Sequence, residues 1–229
     1  MTVVRMGEAF HTLMTDELGY HRYGIQASDI GAGVKAHMAL AYPQAVTGIH
    51  LTGSYVPFVP DDLSEVERAY IDANTEWEQA EGAYAHVHRT KPQTLAYGLN
   101  DSPVGLAGWI IEKFRAWSDC GGDVERSYTK DELLTNIAIY WFIQTINSSI
   151  RVYLEGFGPD GLMGIPDVPT GHLMGHEQIP NAPEEWTRRL YRIDHYVESD
   201  RGGHFLEWEE PEIVANDLRE FFRPQRSRA

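Results

Sequence analysis

The stretch Gln26-Ala27-Ser28-Asp29-Ile30-Gly31 sets a carboxylate at the point where a strand turns into a helix. Residues 20–28 can form a strand, and the small-residue run 31–40 can form a helix. A sharp turn of this kind exposes its apex and needs small neighbours two positions either side, and Ala27 and Gly31 meet that need. The apex sits at a helix N-terminus, where unpaired N–H groups and the helix dipole favour an anion. With a reference pKa of about 3.9, a carboxylate there is ionised at neutral pH and can attack as a nucleophile without a base. The alternative for one Asp before a helix is a plain N-cap.

A second group near the other end favours the chemical reading. Arg201-Gly202-Gly203-His204-Phe205 follows the strand-like run 192–197 and precedes an amphipathic stretch with Val214, Leu218, Phe221 and Phe222 on one side. A histidine on a Gly-rich loop can swing in over a nucleophile. With the nucleophile early and the histidine last, the chain order suits an α/β hydrolase, which places its acid between them.

More motifs make the likeness specific: Thr90-Lys91-Pro92-Gln93-Thr94, the run from Leu99-Asn100-Asp101-Ser102-Pro103 to Ala107, Tyr140-Trp141, and Ser148-Ser149-Ile150-Arg151-Val152-Tyr153. With the Asp29 elbow and the His204 loop, the sequence resembles the microsomal-type epoxide hydrolases of the α/β-hydrolase superfamily over nearly its whole length. The resemblance implies that Asp29 attacks an epoxide carbon to form a hydroxyalkyl ester. It implies that Tyr84 and Tyr153 donate to the opening ring, and that His204 activates water against the ester. Glu177 is the family-matched acid behind His204, with Asp167 and Asp200 as alternatives. Cleavage at the acyl carbon needs an oxyanion hole, to which the backbone N–H of Ile30 contributes. The alternative for the two tyrosines is that they are amphipathic packing residues. Ile30 departs from the tryptophan that many of these enzymes carry after the nucleophile. Haloalkane dehalogenases also use an aspartate and a histidine, but Ile30 offers no side-chain donor for a departing halide.

These residues need elements to hold them. Residues 20–28, 45–51, 167–174 and 192–197 read as strands, the first two flanking a helix in the rhythm of a parallel sheet. Residues 7–18 read as a helix. From residue 59 the pattern changes to helices with start signals: Ser64 with Glu67 and Thr129 with Glu132 have capping-box spacing, and Ser102-Pro103 is an N-cap with proline at the first helical position. Trp109, Ile110, Phe114 and Trp117 then form an apolar face. The expected architecture is an α/β-hydrolase-type parallel sheet, the C-terminal half of that fold, with an inserted helical cap. Residues 1–58 form the core segment with the elbow, 59–160 the cap, and 161–229 the core segment with acid and histidine.

The family carries a His-Gly-x-Pro oxyanion segment well upstream of its nucleophile, and residues 1–28 contain none. By resemblance half of the sheet is missing and the Asp29 strand is left as an edge, which invites pairing with another chain. A fragment, a partial gene model, half of a two-chain enzyme and a truncated non-catalytic binding module all fit this. The expected partners are a small apolar epoxide and water, with self-association or pairing with an N-terminal half.

Composition excludes other classes. A net charge of -15 argues against nucleic acid and anionic membranes. The basic tail, residues 223–228, reads as a solvated end. Cys120 is the single cysteine, which rules out an intrachain disulfide and suits a reducing, cytoplasmic location. Residues 1–19 have no signal-peptide core, and the longest apolar run is far short of the roughly 20 residues of a membrane span. No cofactor is implied. His172, His176 and Glu177, or His86 with His88, could be drawn as metal ligands. His172 lies on an expected strand, however, so the spacing does not bring it beside His176, and no metal is expected.

Overall fold

The structure, a computed structural model, describes residues 2–53, 56, 59–156, 166–176 and 179–226. Four strands, β1 (Tyr23–Ala27), β2 (Val46–Thr52), β3 (Thr170–Met174) and β4 (Ile193–Glu198), form one parallel sheet in the order β1-β2-β3-β4. The middle strands carry the burial: every residue of β3 is buried, and every residue of β2 except Thr47. β1 and β4 lie at the edges and are partly exposed. All four expected strands form, with shifted starts. β1 begins at Tyr23 rather than residue 20, because its ladder opens where Tyr23 N–H donates to Ala45 O at 2.9 Å. β3 begins at Thr170 because Pro169 has no N–H to donate, although its carbonyl still accepts from Ile49 at 2.9 Å.

Helix α1 (Val3–Thr12) starts earlier than expected, capped by Thr2, and continues as a π-helical turn over Leu13–Glu17. α2 (Asp29–Ala41) connects β1 to β2. Between β2 and β3 come α3 (Glu65–Glu81), α4 (Ala83–Thr90), α5 (Pro92–Asp101), α6 (Pro103–Trp117), α7 (Lys130–Ile143) and the short α8 (Ile146–Ile150) and α9 (Val152–Glu155). α10 (Glu184–Leu190) joins β3 to β4, and α11 (Leu206–Glu209) and α12 (Pro211–Arg226) follow β4.

The inserted helices begin at the residues whose chemistry favours a start. Ser64 and Thr129 each close a capping box, with Glu67 and Glu132 returning to the cap N–H. Ser102 Oγ accepts from Gly105 N–H at 3.0 Å, with Pro103 opening α6. These helices bury clusters of their own, including Leu99, Leu106, Ile137 and Ile150. A separate cluster joins α1, α2, β1 and β2 to Trp186 and Leu190 of α10. One ion pair ties the layers: buried Glu67 of α3 accepts from Arg189 of α10 at 2.9 Å.

Across the sheet, His50, Gly171 and His195 stand in register on β2, β3 and β4. A side chain at Gly171 would meet Phe221 at 2.8 Å and His50 at 2.9 Å, so the glycine lets α12 settle onto the sheet. Asp217 of α12 then reaches both histidines, accepting from His50 Nε2–H at 2.7 Å and His195 Nε2–H at 2.6 Å. Burial pushes the Asp217 carboxyl up, but the two histidine hydrogen bonds outweigh it and hold the group below its ordinary value. A carboxylate depressed in the folded state stabilises fully above its unfolded pKa and loses that contribution as pH falls through the folded value. Asp217→Ala, which strands buried His50, should lower stability by about 3 kcal/mol at neutral pH. The gap from the parent should narrow as pH falls below about 4, which urea titrations across pH would show.

Candidate active site

Asp29 is the first residue of α2 and has φ 47°, the left-handed region that non-glycine residues seldom occupy. The strand-to-helix turn imposes this conformation and leaves the carboxylate partly exposed. The turn closes because both flanks are small: a Cβ at Gly31 would already touch the Ala27 methyl at 3.4 Å. Ile30 N–H donates to Asp29 Oδ1 at 2.5 Å, as expected for an N–H at the mouth of a helix.

His204 arrives from 175 residues away and donates Nε2–H to Asp29 Oδ2 at 2.9 Å. Its own N–H donates to Trp117 O at 2.8 Å, so the loop docks on the end of α6. Gly203 permits this approach, since a Cβ there would lie 2.4 Å from the Trp117 carbonyl oxygen. Gly202 supplies the turn at φ 83°.

Tyr84 is the second residue of α4 and Tyr153 lies in α9, their rings 5.8 Å apart, edge to face at 83°. Asp29, Ile30, Tyr84, Tyr153 and His204 all line one cavity of about 890 Å³, with Val56, Trp77 and Ile179 as apolar wall. The structure thus brings together every expected site residue except Glu177, which lies outside the described residues. Of the alternatives to it, Asp167 is almost fully exposed, paired with Arg192 at 3.6 Å ahead of β3, at the opposite end of the strand from the His204 loop. Asp200 is exposed on the loop before His204.

Electrostatics separate the two phenols from the carboxylate. Burial pushes Asp29 up, yet the hydrogen bond and charge of His204 and the Ile30 N–H bring it below its ordinary value, so it is ionised at neutral pH. Burial raises Tyr153, with further upward pushes from Tyr84 and the Asp29 charge. Tyr84 rises by burial too, against the opposing hydrogen bond from Tyr153. Both phenols keep their protons while facing an anion.

Trp117 and Lys113 gave no sign of the site in the sequence. Trp117 reads as one more apolar position of α6, yet its ring lies 5.1 Å from Tyr84 and 5.4 Å from His204. Lys113, one turn earlier, holds its ammonium 5.0 Å above the Tyr84 ring. His88 accepts from Trp109 Nε1–H at 3.2 Å, and burial with the nearby Lys113 charge drives its pKa down to about 4. His172 is buried and donates to Gly53 O at 2.8 Å.

No family model matches the chain. The chain is 36% identical over 230 residues to a provisionally named epoxide hydrolase of Stigmatella aurantiaca, covering 99% of this chain and 52% of that one. It is 35% identical to epoxide hydrolase 1 of Sus scrofa, covering 95% of this chain and 54% of the relative. The crystal structure of juvenile hormone epoxide hydrolase from the silkworm Bombyx mori superposes with a TM-score of 0.83 at 29% identity, over 99% of this chain and 55% of that one. The Aspergillus niger epoxide hydrolase also gives 0.83, at 25% identity, over 98% of this chain and 58% of that one. This chain belongs to the epoxide hydrolases of the α/β-hydrolase fold.

The chain spans about half the length of the epoxide hydrolases it matches. Among the described residues no helix is long and apolar enough to cross a membrane.

The Asp29–His204 pair can be tested without any substrate. Because the His204 contact opposes burial at Asp29, His204→Gln should move the Asp29 carboxyl upward. Carbon-detected NMR titration of the parent should place Asp29 below the ordinary carboxylate range and show the upward move in the variant.

Proposed function

We propose that this chain carries the catalytic centre of an epoxide hydrolase that opens a small apolar epoxide to a vicinal diol. One observation carries the reading: an ionised carboxylate, hydrogen bonded to a histidine at 2.9 Å, shares a cavity with two protonated phenols. Residues 59–160 act as the cap that brings the phenols over the sheet, and residues 1–58 and 161–229 as the core beneath them.

In the first step an Asp29 oxygen attacks an epoxide carbon and the ring C–O bond breaks. The departing oxygen takes a proton from Tyr84 or Tyr153, which leaves a hydroxyalkyl ester. Phenols suit this task because they stay protonated at neutral pH yet donate to an alkoxide. In the second step water attacks the ester's acyl carbon, giving a proton to His204 while the Ile30 N–H supports the oxyanion. The acyl C–O bond breaks, and the departing alkoxide takes the proton back from His204 and leaves as the diol. The remaining acid proton returns to the phenolate through solvent, so Asp29 is again a carboxylate and the phenol is restored. His204 donates Nε2–H to Asp29 in the resting arrangement, so accepting a proton there requires its hydrogen to move to Nδ1, where Glu177 is the proposed acceptor. Halide release is disfavoured, since Ile30 supplies no side-chain donor and the acids present suit an oxygen leaving group.

Two substitutions divide the steps. His204→Gln, mixed with styrene oxide, should take up one substrate mass per chain and stall, with peptide mapping placing the label on Asp29. The assay uses the 229-residue chain alone and co-expressed with the N-terminal half of a relative. Normal turnover by His204→Gln, a label elsewhere, or no label in either form would overturn the assignment.

The acid roles have their own expectation. Tyr84→Phe and Tyr153→Phe should each slow ester formation, and the double variant should lose about 10²- to 10⁴-fold, as for a deleted general acid. Hydrolysis of the preformed ester should change little. Stopped-flow alkylation at the parent rate in the double variant would place the acids elsewhere.

A further inference from the structure

The histidine loop is held by a carboxylate that the reaction does not use. Glu209, the last residue of α11, turns back under His204. Its Oε1 accepts from Gly203 N–H at 3.1 Å and Phe205 N–H at 3.2 Å, the two residues flanking the histidine. Its Oε2 accepts from Asp119 N–H at 2.7 Å, two residues past the end of α6. Two returning bonds cross the same junction: His204 N–H to Trp117 O at 2.8 Å, and Gly202 N–H to Asp119 Oδ2 at 3.2 Å. Beside them the Phe205 ring stacks on Phe114 of α6, 4.4 Å apart at 16°.

We propose that Glu209 is the positioning residue of the general base: it bolts the His204 loop and the end of α6 into one body, so that His204 meets the ester at a fixed place. The inference rests on the roles of Asp29 and His204 proposed above. The donor pattern calls for a carboxylate here. Three N–H groups converge on two acceptor oxygens, which ionised Glu can satisfy together. A glutamine has one acceptor oxygen and must turn its NH₂ toward one set of donors, so it holds the loop or the α6 end and never both. An aspartate is one methylene too short to span them. The neighbouring Glu207 serves a different junction, accepting from Thr52 and, at 2.6 Å, from Gln26 of β1.

Ester formation depends on Asp29, Tyr84 and Tyr153, none of which hangs from Glu209. Ester hydrolysis depends on where His204 sits, and an ångström of misplacement can cost on the order of 10²-fold. In whichever form of the chain labels Asp29, Glu209→Gln should form the ester within about 3-fold of the parent rate and hydrolyse it at least about 10-fold more slowly. Combined with His204→Gln it should slow hydrolysis no further, because both changes remove the same contribution. Amide hydrogen exchange should accelerate at Gly203, Phe205 and Asp119 in Glu209→Ala, and at either Gly203 and Phe205 or Asp119 in Glu209→Gln, with β2 and β3 unchanged. Hydrolysis at the parent rate, an additive loss on the His204→Gln background, or unchanged exchange at those three amides would overturn the inference. If His204→Gln traps no ester, the catalytic reading fails instead, and the exchange measurement still decides whether the bolt exists.

Discussion

The Asp29–His204 hydrogen bond constrains the rest of this molecule. One partner is the first residue of a helix and the other sits on a loop 175 residues later, so the bond exists only if both ends of the chain meet. Its acceptor is held in a left-handed backbone conformation, a strained state costing of order 1–3 kcal/mol that persists only where the surroundings over-determine it. Here the surroundings are β1 pairing on one side of the turn and the buried start of α2 on the other, with Ala32, Gly33 and Val34 all inside. The charge belongs to the same arrangement. Burial alone would push Asp29 toward its neutral form, and the histidine reverses the direction.

A parallel sheet explains why the two halves of the pair can meet. All four strands run the same way, so the residues that follow β1 and β4 emerge at one end of the sheet. Asp29 lies two residues past β1, and His204 follows β4 on a loop closed by two glycines. The central strands are buried and the edges half-open, which matches the near-continuous burial of inner parallel strands. On the opposite side of the inner strands, α12 approaches closely because Gly171 leaves room for Phe221, and Asp217 then binds histidines from β2 and β4.

The inserted helices bring Tyr84 and Tyr153 to the cavity. They have apolar clusters of their own and reach the sheet through specific contacts, the Glu67–Arg189 pair near their start and the Trp117–His204 junction at the end of α6. Trp117 touches both Tyr84 and His204, so the aromatic packing that holds the helices over the sheet also sets the separation of those two side chains. Glu209 closes the same junction from below.

By itself the sequence determined what depends on local chemistry. Small residues around Asp29 specified the elbow, Ser64, Ser102 and Thr129 specified where helices begin, and alternating strand and helix signals specified a parallel sheet. Chain order placed Asp29 before the histidine, and the resemblance to the family's motifs pointed to Tyr84 and Tyr153. Only the tertiary structure decided contacts between residues distant in the chain. That Trp117 bridges Tyr84 and His204, that Lys113 lies over a phenol, that Glu209 gathers three N–H groups and that Asp217 joins two histidines leave no periodic or spacing signal. The start of β1 moved for the same reason, since a strand begins where a partner's carbonyl or N–H is in reach, and the partner is fixed by the fold rather than by neighbours in sequence.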